Sequence, residues 1–440
     1  MTSLADRLRG IVAAVPASRR PAADVPAPAD GEAAVRAGAD TVADVLGGRW
    51  VDAGAHRVLV VDRVYRPGHR HGHMTLVDHV LPEHDGWCDT FVHSRSASGA
   101  ARKSERHRAL FVDLETTGLA GGAGTYAFLV GCAWFEDCTF RVRQLFMSSV
   151  AIEASLLEML STLAASADLV VSFNGKSFDL PLIETRYLFH RRTTPFADRP
   201  HLDMLHPARR LWRTDEDEGE GSSGSGCRLT ALEATICGYV RDGDVPGSEA
   251  PMRYFHYVRT GDPRPLAGVF EHNRLDLLSL AFLTSRAARL AEGGVPLLTS
   301  AREAVGLGQL LERAGDLANA RRCFARAAGI DEAPLPGNDV SRAEGMHGYA
   351  TLCRRERRYS EAAGAWRKLL ELRRCPPNLV RSAAEALAIH HEHRLRDPRT
   401  ARTFALKSAP MQATSSRQQA LQHRLARLDR KLVAQPLSLF

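Results

Sequence analysis

No run in this 440-residue chain approaches the roughly 18 to 20 uninterrupted apolar residues that a bilayer-spanning helix needs. The first thirty residues also lack an apolar signal core ahead of a small-residue cleavage site. Both absences point to a cytoplasmic protein with no membrane partner. The eight cysteines, at 88, 132, 138, 227, 237, 323, 353 and 375, include no Cys-x-x-Cys. That argues against a zinc ribbon and offers no disulfide framework, so buried thiols are expected. What is present is ordinary for a soluble chain of two or three domains, with 44% hydrophobic and 25% charged residues.

The net charge of +7 is unevenly divided. Residues 301–440 hold 25 Lys and Arg against 14 Asp and Glu, or +11, which leaves 33 against 37, or −4, elsewhere. A basic block of this kind favours a polyanionic partner through steering and counterion release. Arginine spread over solvated helix faces is the plainer alternative.

Leu4, Leu8, Ile11, Val12 and Val15 fall at helical spacing, and the Pro/Ala-rich stretch that follows reads as a flexible linker. After a short helix from Thr41 to Leu46, two β-prone runs, 57–65 and 74–81, predict a hairpin or edge strands. Between them lies Gly68-His-Arg-His-Gly-His73, with Cys88 beyond. It reads as a polar turn, with metal binding as the alternative.

The pattern sharpens at Ala109-Leu-Phe-Val-Asp-Leu-Glu-Thr-Thr-Gly118. Side chains alternate along a strand, so Asp113 and Glu115 share one face and present either a metal site or an acid/base pair. The glycine-rich run up to Gly124 superficially suggests a dinucleotide loop, but that loop requires a helix to follow. Instead 126–135 and 139–146 read as strands, which makes an antiparallel meander. A helix over 153–165, a buried-type strand over 169–174 and a helix over 178–191 complete a β-β-β-α-β-α order, that of an RNase H-like fold. A further strand and helix are expected over 201–212, a mobile acidic loop over 214–226, and helices over 227–239 and 265–290. His272 and Asp276 lie four apart on the last of these, hence on one face.

Beyond 300 the chain looks repetitive. Ala320, Ala362 and Ala401 sit in similar helical segments, 42 and 39 residues apart. Paired helices with a small residue at each crossing predict a tetratricopeptide-like array, although the period exceeds the usual ~34 residues. The expected organisation is an N-terminal helix and linker over 1–40, a β-rich segment over 41–104, an α/β domain over 105–292 and a tetratricopeptide-like helical domain over 300–434.

Asp113, Glu115, Asp179 and Asp276 thus come from three elements that such a fold would bring together. Four unpaired negative charges resist burial. Divalent cations relieve this, and hard oxygen ligands suit two Mg²⁺ or Mn²⁺ ions acting on a phosphodiester. His272 is left to take a proton from water or to orient it.

Asp113-Leu-Glu115-Thr-Thr-Gly, Phe173-Asn-Gly-Lys-Ser-Phe-Asp179 and His272-Asn-Arg-Leu-Asp276 resemble the three motifs of the DEDD (DnaQ-like) exonuclease superfamily. Four finer features, 118–131, 205–212, Cys227–Glu233 and Asp244–Pro251, are similar to the YprB-type RNase H-like proteins within it. The likeness covers about 105–290. It implies a metal-dependent 3′–5′ exonuclease core with Asp113, Glu115, Asp179 and Asp276 as metal ligands, and a tetratricopeptide-like tail that often follows this domain. Superfamily members with His at the water-handling position usually place four residues before the last Asp; here there are three, the spacing usual for Tyr.

Around that core, Thr116, Asn174 and Lys176 are candidate substrate contacts. Arg209 and Arg210 either meet a nucleic-acid backbone or pair with the acidic loop, and Trp134, Phe135 and Trp212 read as core residues before base-stacking ones. Asp203 is outside the superfamily pattern. Nucleic acid is the expected partner, and the helical repeats are expected to bind it or a protein. A non-catalytic binding or scaffold protein, or a structure-specific endonuclease, are the rival functions.

Overall fold

The computed structural model describes residues 41–82, 86–92, 108–118, 124–213, 227–330, 332–409 and 415–434. The expected N-terminal helix and linker and the acidic loop over 214–226 lie outside these residues.

A seven-stranded mixed sheet forms the centre, in the order β1-β2-β7-β6-β5-β8-β9. Its strands are β1 (Arg49–Ala53), β2 (His56–Tyr65), β5 (Ala109–Thr116), β6 (Ala127–Glu136), β7 (Thr139–Phe146), β8 (Leu169–Ser172) and β9 (His201–Asp203). β5, β6 and β7 form the expected antiparallel meander, and β5 pairs with β8, and β8 with β9, in parallel. β5 is central and covered on both faces, so its sequence is nearly continuous in apolar residues rather than alternating.

Of the two β-prone runs before 100, the first is β2, which pairs with β1 as a hairpin and extends the sheet beside β7. The second is corrected. Only Met74–Thr75 (β4) is extended, paired with Arg70–His71 (β3), and Leu76–His79 coils into a 3₁₀ turn that buries Leu76. A similar correction applies to 227–239. The helix there covers only Leu229–Leu232 and then widens into a π turn, Glu233–Cys237, ended by Gly238 in the left-handed region.

The alternation in β5 divides the core. Leu110, Val112 and Leu114 face one hydrophobic cluster with Phe128, Val130, Leu157 and Ile183. Phe111 faces the other, with Val171, Leu278 and Leu280. Asp113 and Glu115 follow Phe111 in parity, so both carboxylates point to the side of the helix α1 (Ala267–Gly293).

That second cluster runs on without a break into the C-terminal helices, through Leu211 and Trp212 to Val305, Phe324, Tyr349 and Trp366. These helices, α2 (Ala301–Ala314), α3 (Leu317–Ala328), α4 (Asp339–Arg355), α5 (Tyr359–Glu371), α6 (Pro377–His393), α7 (Pro398–Lys407) and α8 (Ser415–Ala434), each pack on the next. Ala320, Ala362 and Ala401 are all fully buried. A side chain added at Gly308, Gly345 or Gly348 would meet Phe324 or Ala327 within 2.8 Å, so small residues let these helices approach. No helix among the described residues is long and apolar enough to cross a membrane.

Candidate active site

Three neighbouring strands carry one polar row. Asp113 on β5 pairs with Gly131 on β6, and Gly131 with Gln144 on β7. Gly131 leaves a gap over the sheet, since a Cβ there would lie 2.3 Å from Asn273 Oδ1. Asn273 of α1 fills it. Its Nδ2 donates to Asp113 Oδ2 at 2.7 Å and to the Asp113 carbonyl at 3.1 Å, while Gln144 Nε2 donates to its Oδ1 at 2.8 Å. Gln144 Nε2 also reaches the Phe270 carbonyl at 2.8 Å, so helix, carboxylate and sheet are held in one register.

The four predicted acids converge here. Burial, followed by the charges of Asp276, Glu115 and Asp179, pushes the Asp113 carboxyl well above its ordinary range. Glu115, 7% exposed, is raised for the same reasons, by burial and then by Asp276, Asp179 and Asp244. Asp179 is pushed up to about 7 by burial, Asp203 and Asp276. Among the described residues no donor bonds the Glu115 or Asp179 carboxylate. Nor do any three His, Cys, Asp or Glu side chains close on one point as a preformed ion cage would. A donor set of carboxylate oxygens that repel one another nonetheless matches the hard-ligand preference of Mg²⁺ or Mn²⁺.

Asp276 differs from the other three because it has a cation. Burial raises its carboxyl, while His272 and Arg241 act against that rise. Arg241 Nη2 donates to Asp276 Oδ1 at 2.5 Å, and the Arg241 side chain is 4% exposed. The same guanidinium reaches Glu233 Oε2 at 2.6 Å through Nε and Asp244 Oδ2 at 3.2 Å through Nη1. Asp244 in turn lies 2.8 Å from His272 Nδ1. A carboxylate accepts, so Nδ1 carries a proton toward Asp244, and Nε2 lies 3.6 Å from Asp276 Oδ2.

Glu233 is anchored on its far side by His71 Nε2 at 2.8 Å and by the Ser279 hydroxyl. The histidine-rich segment therefore serves this buried network. His71 is 2% exposed, His69 packs at a tilt against Tyr65, and His73 is exposed, so the three rings do not converge on an ion.

Asp203 has a structural task. Its carboxylate accepts the backbone N–H groups of Asn174 (2.7 Å), Lys176 (3.1 Å) and Leu205 (3.1 Å). Those bonds hold Asn174 at φ 66° and leave the Lys176 side chain exposed beside the Asp179 helix, Asp179–Phe189. Thr116 turns its hydroxyl to the Gly118 carbonyl at 3.0 Å.

Trp212 is buried and donates its indole N–H to Glu303 at 3.0 Å, while Phe135 packs edge-on against Phe111. Arg210 is half-buried, and burial together with Arg313 and Arg302 holds its pKa below the usual arginine range. Arg241 lies outside every motif read from the sequence, and Glu233, Asp244 and Asn273 lie within such motifs without a site role of their own. A buried-type glycine at 131, opposite a carboxylate, was the one available signal for Asn273.

Two comparisons bear on this geometry. Residues 110–288 match the RNase_H superfamily. The chain is also 31% identical over 346 residues, 77% of its length, to the uncharacterized protein YprB of Bacillus subtilis (strain 168), of which 78% is covered.

Proposed function

The chain belongs to the family of YprB and carries an RNase H superfamily domain; from that premise we propose that it is a metal-dependent nuclease of the DEDD type, removing nucleotides from a 3′ end. The superfamily supports nucleic-acid-processing nuclease activity in general. The observation that carries the finer reading is the convergence of Asp113, Glu115, Asp179 and Asp276, each carboxyl raised by burial and three of them also by one another's charge.

Those four side chains would hold two divalent cations, Mg²⁺ or Mn²⁺. When bound, the ions supply the positive charge that stabilises the attacking and leaving oxygens of a phosphodiester displacement. Asn273 fixes the Asp113 carboxylate from the sheet side. His272, its proton directed at Asp244, has Nε2 available to accept a proton from the attacking water. The i,i+4 spacing of His272 and Asp276 serves this role because both lie on one face of α1. Lys176 offers an exposed charge to a phosphate, and Asn174 and Thr116 shape the loops on either side. The C-terminal helices form a tetratricopeptide-like array that offers its positive charge to nucleic acid or its grooves to a partner protein.

The test is degradation of 5′-labelled single-stranded and duplex DNA and RNA with Mn²⁺ or Mg²⁺, wild type beside Asp113→Asn, with a chelator control. A descending ladder is expected from the wild type. Loss of several kcal/mol of charge stabilisation should slow the variant by at least about 10³-fold. Equal cutting by both proteins would end the proposal. Cutting of circular substrates would indicate an endonuclease, and no cutting by either would favour a binding or scaffold role on the same fold.

A further inference from the structure

Arg241 lies in a stretch without regular structure, between Gly238 (φ 68°) and Gly243 (φ 66°), yet its side chain is only 4% exposed. Its five N–H groups are forked in a plane. Nε is committed to Glu233, Nη1 to Asp244, and Nη2 to Asp276 Oδ1. Glu233 cannot drift, because His71 and Ser279 grip its other oxygen.

Two consequences follow from this fork. Asp276 has one oxygen engaged and the other, Oδ2, turned toward His272 Nε2. His272 has its opposite nitrogen engaged by Asp244, whose second oxygen is on the same guanidinium. One planar cation therefore sets the direction of the fourth carboxylate and of the water-handling imidazole together. We propose that Arg241 is a positioning residue, which aims Asp276 Oδ2 at a divalent cation and His272 Nε2 at the water beside it. This inference rests on the reading above that the four carboxylates bind such a cation.

A residue that merely neutralised a buried acid would behave differently. Lysine keeps the charge but has no rigid fork, so it cannot hold Glu233, Asp244 and Asp276 in one plane. Glutamine removes the charge, which by Coulomb attraction alone would strengthen cation binding at the site.

The experiment is a Mn²⁺ titration of the full chain, read as free Mn²⁺ by electron paramagnetic resonance, for wild type, Arg241→Lys and Arg241→Gln. Far-UV circular dichroism and thermal melts accompany each. Mn²⁺ affinity is expected to fall by at least about tenfold in both variants, in the range found when outer partners of metal ligands are removed. Wild-type affinity in Arg241→Lys, or tighter binding in Arg241→Gln, would overturn the inference and leave charge neutralisation in its place. Should Arg241→Gln fail to fold, Arg241→Lys alone decides the matter, since it retains the buried charge. A wild type that binds no Mn²⁺ at millimolar concentration would instead remove the metal-site reading beneath it.

Discussion

Asp179 shows what a carboxylate gains and loses by entering this site. Its carboxyl is raised to about 7 from an ordinary 3.8, with burial the first cause and Asp203 and Asp276 the next. The native state therefore holds a proton that the unfolded chain has lost across the interval from about pH 4 to pH 7. Stability without metal is fully present below that interval and falls as pH rises through it. Asp113 and Glu115, raised in the same direction, act in the same sense. Thermal melts in a chelator are expected to show a Tm that drops between pH 5.5 and pH 8. Millimolar Mg²⁺ at pH 8 should restore it. A Tm that rises with pH in the chelator would show that the four acids are not mutually repelling.

At the scale of elements, the site depends on how closely α1 lies over β6. Gly131 has no side chain where Asn273 Oδ1, Asn273 Nδ2 and Leu277 Cδ1 would all come within 2.8 Å of a Cβ. Gly131→Ala should push the helix off the sheet and cut the Asn273 bonds to Asp113 and Gln144. Overpacking of this kind costs about 1–3 kcal/mol. Chemical denaturation is expected to give a lower midpoint with an unchanged slope, and hydrolysis should fall with it. An alanine variant as stable and active as wild type would mean that the contact of α1 with β6 is not what sets the site. The π turn at Glu233–Cys237 belongs to the same scale. Such turns are rare and occur frequently at functional sites; this one carries Glu233, the anchor of Arg241.

Across the whole molecule, the α/β part and the helices beyond 300 share a core. Gly306 of α2 lies so close to the helix Leu205–Leu211 that a Cβ would sit 2.2 Å from the Arg210 carbonyl. Glu303 of α2 receives the Trp212 indole and the guanidinium of Arg286 from α1. Cutting the chain near 298 would uncover Leu211 and Trp212, apolar side chains of the shared core that lie against α2. Such a truncation is expected to aggregate on size-exclusion chromatography, whereas the full chain should unfold as the α/β part and its first helices together. A monomeric, fully folded truncation would show that the shared core is dispensable. The positive excess beyond residue 300 is therefore carried on a support that the nuclease domain itself needs.

Short-range rules were enough for much of this protein. A period of two placed Asp113 and Glu115 on one face, and a period of 3.6 placed His272 over Asp276, because both depend only on backbone geometry within a few residues. The same rules gave the meander, the buried-type strand that became β8 and the buried alanines at 320, 362 and 401, each a local pattern of apolar and small side chains. They misread 74–81 as a strand because the apolar content of Leu76-Val-Asp-His79 suits a buried 3₁₀ turn as well as an extended one. Arg241 was beyond them altogether. Its partners stand 8, 3 and 35 residues away, on a π turn, a loop and a long helix. Only the tertiary structure decides that these charges meet, since a guanidinium in a loop has no period to betray its direction. The acids were legible from the sequence because strands and helices aim side chains by rule; the cation that aims Asp276 and His272 sits in a loop, where no such rule applies.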